Sequence, residues 1–96
     1  MFKAIQRIRA RTSVGRDPFM RDELLQTWVV HHLEIIGEAA KGLSEPYRAA
    51  RSQVPWRAVA RMRDRLIHGY WDIDLDAVWP VVERDLAALE LAVSPP

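Results

Sequence analysis

The 96-residue sequence contains no cysteine, which excludes a disulfide framework and a thiolate metal site and is compatible with a reducing compartment. No apolar run approaches membrane-spanning length, there is no internal repeat, and no stretch alternates apolar and polar residues as a strand with one wet face does. What the chain does carry is helical periodicity. It reads as a single domain over residues 1–96, an all-α up-and-down bundle of about five helices. At this length surface area weighs heavily on a single core, so dimerisation would help. The hydrophobic fraction of 49%, with four tryptophans, is generous, and part of it suits a partner interface as well as a core.

The net charge of +1 hides an asymmetry. Through Arg63 there are 12 Lys+Arg against 6 Asp+Glu, a net of +6, and from Asp64 onward 2 against 7, a net of −5. If the forward arginines share a face they suit a nucleic-acid backbone, with the acidic remainder facing elsewhere or meeting a basic partner. Arginines spread around helices as an ordinary solvated surface would give the same count.

Phe2, Ile5 and Ile8 predict a short amphipathic first helix, and Thr12 to Phe19, with Gly15 and Pro18, reads as a loop. The longest helix is expected from about Met20 to Leu43, with Leu24, Leu25, Trp28, Val29, His32, Leu33, Ile36, Ala39, Ala40 and Leu43 as its apolar stripe. Gly37 interrupts that stripe at a cost of about 1 kcal/mol relative to Ala, which implies another helix passing close by. His31, Glu34 and Glu38 approach one face, but no second ligand cluster appears and paired histidines at four-residue spacing are missing, so no metal site is assigned. His32 instead falls in the stripe as a hydrogen-bonded core or interface histidine.

Ser44-Glu45-Pro46 starts a short helix. Pro55 then opens a further helix with Val59, Met62 and Leu66 on its apolar side, running to about His68, and Gly69 supplies the left-handed residue that would end it. Arg57, Arg61, Arg63 and Arg65 crowd this helix; pairing with acidic neighbours is the default for most of them, and only Arg63 has a motif argument behind it. Asp72, Asp74 and Asp76 lack the Gly and Glu of a calcium loop and read as turn formers and a helix cap. The last helix is expected from about Leu75 to Ala92 on Val78, Val82, Leu86, Leu89 and Val93, with Pro80 kinking it or marking its first turn.

The stretch Arg61 to Asp76 holds most of the chemistry. Imidazole is the side chain suited to proton transfer near neutral pH, and the planar, permanently charged guanidinium matches phosphate oxygens, so Arg63 near His68 points to acid/base work on a phosphodiester. In a regular helix the five-residue separation puts the two about 140° apart on the wheel and about 7.5 Å apart along the axis. Either the helix frays before His68 or a two-fold axis brings each His toward the other subunit's Arg.

Arg63-Asp64-x-x-x-His68 resembles the R-x-x-x-x-H motif of HEPN domains, in which a polar residue follows the Arg. The extension to Tyr70 and the phrase I-I-G-E-A-A-K at Ile35 to Lys41 are similar to the HepT-like toxins of type VII toxin–antitoxin systems. The family's first helix is usually longer. The resemblance implies a helical bundle, usually homodimeric with a composite site, in the cytoplasm, with no membrane segment and no cofactor. It implies a metal-independent endoribonuclease in which the RNA 2′-OH attacks the neighbouring phosphate. His68 would act as general base or acid, Arg63 would steady the phosphoryl charge and Asp64 would orient one of them. It further implies a nucleotidyltransferase antitoxin that silences the toxin by adenylylating Tyr70, although an aromatic packed at the helix end is the simpler role for that residue. The alternative is a non-catalytic HEPN-type subunit that binds a nucleotidyltransferase or nucleotide.

Overall fold

A computed structural model describes residues 1–68 and 72–95. Its helices are α1 (Phe2–Thr12), α2 (Arg16–Arg21), α3 (Glu23–Lys41), α4 (Glu45–Ala49), α5 (Trp56–Ala60), α6 (Met62–Leu66), α7 (Leu75–Pro80) and α8 (Leu86–Val93), with a π turn (Val81–Asp85) joining the last two. Two-residue strands β1 (Ile67–His68) and β2 (Asp72–Ile73) pair antiparallel between α6 and α7, Ile67 opposite Ile73 and His68 opposite Asp72. The protein is an all-α bundle with one small hairpin at the motif.

Helix α3 is the axis. It packs against α1, α2, α5 and α6, while α1 also meets α8 and α6 meets α7. Val29, Leu33 and Ile36 of α3 are buried with Ile5 and Ile8 of α1, Leu66 of α6, Val78 of α7 and Leu86 of α8 in one continuous core, each such side chain contributing about 1.5–3 kcal/mol by leaving water. Because α3 is surrounded, its buried face is broader than a single stripe: Val30 is buried too, whereas Leu24, in the first turn, stands almost fully in solvent. Asp22 caps α3 by accepting from the Leu25 N–H, and Ser44 caps α4 by accepting from the Tyr47 N–H.

At Gly37 α3 and α5 come into backbone contact. A Cβ built there would meet the Val59 carbonyl oxygen at 3.3 Å and that of Ala60 at 3.6 Å, the close approach implied by a glycine within an apolar stripe. Gly37→Val should therefore drive α3 and α5 apart and lower unfolding free energy by about 1–3 kcal/mol. Denaturant unfolding tests this, and an unchanged midpoint would show that the helices can separate without cost.

Three local departures from the sequence expectation stand out. The stretch expected as a loop from Thr12 to Phe19 contains the start of α2. Gly15, at φ +96°, turns the chain into that helix, and Pro18 falls in the first turn, where its missing N–H would have had no intrahelical partner. Phe19 is fully buried against Trp79, the ring centroids 5.2 Å apart. The expected motif helix is broken at Arg61 and ends at Leu66 rather than at His68. Finally, of the two roles expected for Pro80 the first-turn one fails: it lies inside the helix, at the end of α7. Having no N–H, it leaves the Asp76 carbonyl without its partner one turn on, and the helix widens directly afterwards, with Leu86 N–H bonding back to Val81 O.

The basic front and acidic back of the chain meet within the molecule. Arg9 binds Glu90 at 2.7 Å, tying α1 to α8, and Arg16 approaches Asp76 at 3.5 Å, tying α2 to α7. Arg51 donates from Nε to the Ala92 carbonyl at 2.8 Å and lies over the Tyr47 ring, so it satisfies a carbonyl at the end of α8 that the helix itself leaves open. No described helix is long and apolar enough to cross a membrane.

Candidate active site

Arg63 projects from α6 into solvent. Its Nε lies 3.7 Å from Glu34 Oε2 on α3, with side-chain exposures of 57% and 39%, so water screens the pair and it orients the guanidinium more than it stabilises the fold. Arg63, Asp64 and Arg61 line one shallow cleft of about 260 Å³ together with Glu34, Gly37, Glu38 and Lys41 of α3. Lys41 pairs with Glu38 at 3.0 Å. Among the described residues Arg57, Arg61 and Arg65 have no carboxylate partner, so the pairing expected for most of these arginines is found at Arg63 alone.

His68 occupies a different element. The chain turns extended at Ile67, φ −123° and ψ 119°, which carries His68 off the helix axis and onto β1, half-exposed. Helix-wheel geometry between Arg63 and His68 accordingly does not apply: the helix ends before His68, but the imidazole does not turn back to Arg63. No hydrogen bond joins Arg63 to His68 within the chain among the described residues. The imidazole instead faces Asp74, with Nε2 3.3 Å from Oδ2.

Asp74 was legible as a helix cap, and it is one: Oδ1 accepts from the Ala77 N–H at 3.1 Å. Its backbone N–H also donates to the Leu66 carbonyl at 2.8 Å, so the segment bearing the motif is closed at its base where α6 ends and α7 begins. Asp64, assigned to orient Arg63 or His68, is exposed and pairs with neither. Glu34 and Asp74 hold those positions, each brought from an element outside the motif. Tyr70, the expected modification site, lies outside the described residues.

A second, wider groove adjoins the first, lined by His31 and Glu34 of α3, Met20 and Arg21 of α2, and Ile67, Asp72 and Ile73 of the hairpin. Glu34 borders both depressions, linking the Arg63 cleft to the side of the hairpin. His32 is buried, and its Nδ1 lies 2.8 Å from the Trp28 carbonyl, within the apolar packing. Glu34 and Glu38 are turned to cations, and among the described residues no three His, Asp or Glu side chains converge as metal ligands would.

What this arrangement offers is a cleft in which Arg61, Arg63 and Lys41 meet Glu34, Glu38 and Asp64, and, on the strand that follows α6, an accessible imidazole facing a carboxylate, groups suited to proton transfer at a phosphate ester. Comparisons with known proteins agree with it. A family model described as HepT-like, "Ribonuclease HepT-like", matches residues 1–95. The chain is 39% identical over 74 residues to a protein of Thermococcus cleftensis named "Probable ribonuclease HepT", a match covering 77% of this chain and 67% of the relative. It is 38% identical over 80 residues to a "Putative RNase" of Caldanaerobacter subterraneus subsp. tengcongensis, covering 83% and 71% respectively. A "Putative RNase" of Methanocaldococcus jannaschii is 44% identical over 66 residues, which are 69% of this chain and 54% of that protein. No solved structure gives a significant match. The family model spanning residues 1–95, with relatives at 38–39% identity covered over two thirds or more of their length, places the chain in the HepT-like ribonuclease family.

Proposed function

We propose that the protein is an endoribonuclease that cleaves RNA without a metal ion and serves as the toxin of a toxin–antitoxin pair. The observation carrying this reading is the placement of His68: exposed, off the helix, and facing a carboxylate, in a chain of the HepT-like family. The ribose 2′-oxygen attacks the adjacent phosphorus and gives its proton to His68. The bond to the 5′-oxygen breaks, that oxygen takes a proton from water, and a 2′,3′-cyclic phosphate and a 5′-hydroxyl end result. Arg63 faces the charge that grows on the non-bridging oxygens. DNA lacks the internal nucleophile and is not cut by this route.

Arg63 and His68 make no direct contact within the chain, which suits a homodimer in which each copy's His68 serves a phosphate held by the other's Arg63. The proposed regulator is a nucleotidyltransferase antitoxin that adenylylates Tyr70 in the cytoplasm. The test is direct: purified protein is incubated with labelled single-stranded RNA and with DNA of the same sequence, with and without excess chelator. Cleavage of RNA alone, undiminished by chelator, is the expected result. Loss in chelator with recovery on adding a divalent ion would overturn the metal-free mechanism and return attention to His31, Glu34 and Glu38. No cleavage under any condition would favour the non-catalytic subunit instead.

A further inference from the structure

Catalysis by His68 requires one ring nitrogen to be free and correctly aimed, and the contacts around Asp74 decide which. A carboxylate only accepts hydrogen bonds, so in the neutral imidazole the nitrogen facing Asp74 Oδ2 at 3.3 Å is the one that carries hydrogen. That nitrogen is Nε2, which leaves the lone pair on Nδ1. Asp74 is itself fixed from two other directions. Its backbone N–H is bonded to Leu66 O at 2.8 Å and its Oδ1 to the Ala77 N–H at 3.1 Å. With Oδ1 occupied and the main chain anchored, Oδ2 has one place to be. His68 is 58% exposed and sits on a two-residue strand, so little else would hold its ring in a single rotamer.

Resting on the ribonuclease reading above, we propose that Asp74 is a positioning residue that fixes the tautomer and orientation of His68, so that Nδ1 is the nitrogen exchanging a proton with the RNA 2′-hydroxyl. The competing role, a helix cap whose second oxygen happens to lie beside a surface histidine, makes a different set of predictions. Asn is as good a cap as Asp, so Asp74→Asn keeps the bond to Ala77 while removing the anion. With its oxygen held on the Ala77 N–H, the amide turns to the ring its NH2, which only donates, so the ring nitrogen facing it must accept and the Nδ1–H tautomer is favoured.

The experiment combines steady-state kinetics with ring-nitrogen NMR of the full-length protein, the His68 signals being assigned by their absence in His68→Ala. For the parent, the Nε2–H tautomer is expected in the neutral form. For Asp74→Asn, a shift toward the Nδ1–H tautomer is expected, with thermal midpoint and KM unchanged and kcat lower by roughly 10–100-fold, a share of the 10²–10⁴-fold that a positioned acid or base supplies. Asp74→Ser, which also caps but has no carboxylate, should behave like Asp74→Asn in kcat. Parental kcat in both variants, or an Nδ1–H tautomer in the parent, would overturn the assignment. If the parent cuts no RNA, the ribonuclease reading fails by itself, and the NMR arm still decides whether Asp74 governs the ring.

Discussion

His68→Ala should abolish RNA cleavage while leaving the protein folded. The expected loss is at least the 10²–10⁴-fold that a positioned proton-transfer group contributes, since no second imidazole stands in its place: His32 is buried in the bundle with Nδ1 at the Trp28 carbonyl, and His31 lies on the far side of the groove on α3. The cost in stability should be small. The side chain is exposed and its contact with Asp74 is of the solvated kind worth about 0–1 kcal/mol. Arg63→Ala should also remove activity, because neutralising a phosphoryl contact strips charge stabilisation from the transition state. Arg63→Lys keeps the charge but not the planar fork and should fall between. Cleavage rates alongside circular dichroism melts separate chemistry from folding. A folded His68→Ala protein that cuts at the parental rate would remove His68 from the mechanism.

Tyr70→Phe should have the opposite profile: ribonuclease activity retained, silencing lost. Tyr70 follows His68 by two positions in the sequence. An AMP adduct brings a phosphodiester charge and a purine, blocking an RNA phosphate by bulk and repelling it by charge, an effect partly screened at physiological salt. Incubated with ATP and the partner nucleotidyltransferase, the parent should gain mass in whole-AMP increments and stop cutting RNA. Tyr70→Phe should gain none and continue to cut. Labelling and silencing of the Phe variant would place the control site elsewhere.

Much of the scaffold is written in apolar spacing. The central helix, its close neighbour at Gly37, the Ser44 cap and the Val78, Val82, Leu86, Leu89 and Val93 series of the final helices all follow from local periodicity and turn chemistry, which act within a few residues. The site was legible in part, for the opposite reason. Arg63 and His68 announce themselves by type and spacing, but the carboxylates that orient them do not. Glu34 reaches Arg63 across the α3–α6 packing, and Asp74 reaches His68 only because the chain turns extended at Ile67. The early end of α6 also had no local punctuation, since Ile67 is neither Gly nor Pro and the bond from Asp74 N–H to Leu66 O that accompanies it is tertiary. Likewise α2 was hidden because Gly15 and Pro18, breakers in most settings, serve here as entry and first turn.

The π turn at Val81–Asp85 bears on how this chain tolerates insertions and deletions. Such a turn is an α-helix holding one surplus residue, and its bond from Leu86 N–H to Val81 O spans five positions where an α-helix spans four. Deleting one exposed residue there, such as Arg84, lets the turn relax to α geometry while α7 and α8 keep their phase, so that Val78, Leu86 and Leu89 still face the core. The same deletion in α3 would rotate everything after it by about 100° and turn Leu33 and Ile36 away from their neighbours. Length variation should therefore be absorbed in the final helix and excluded from the central one.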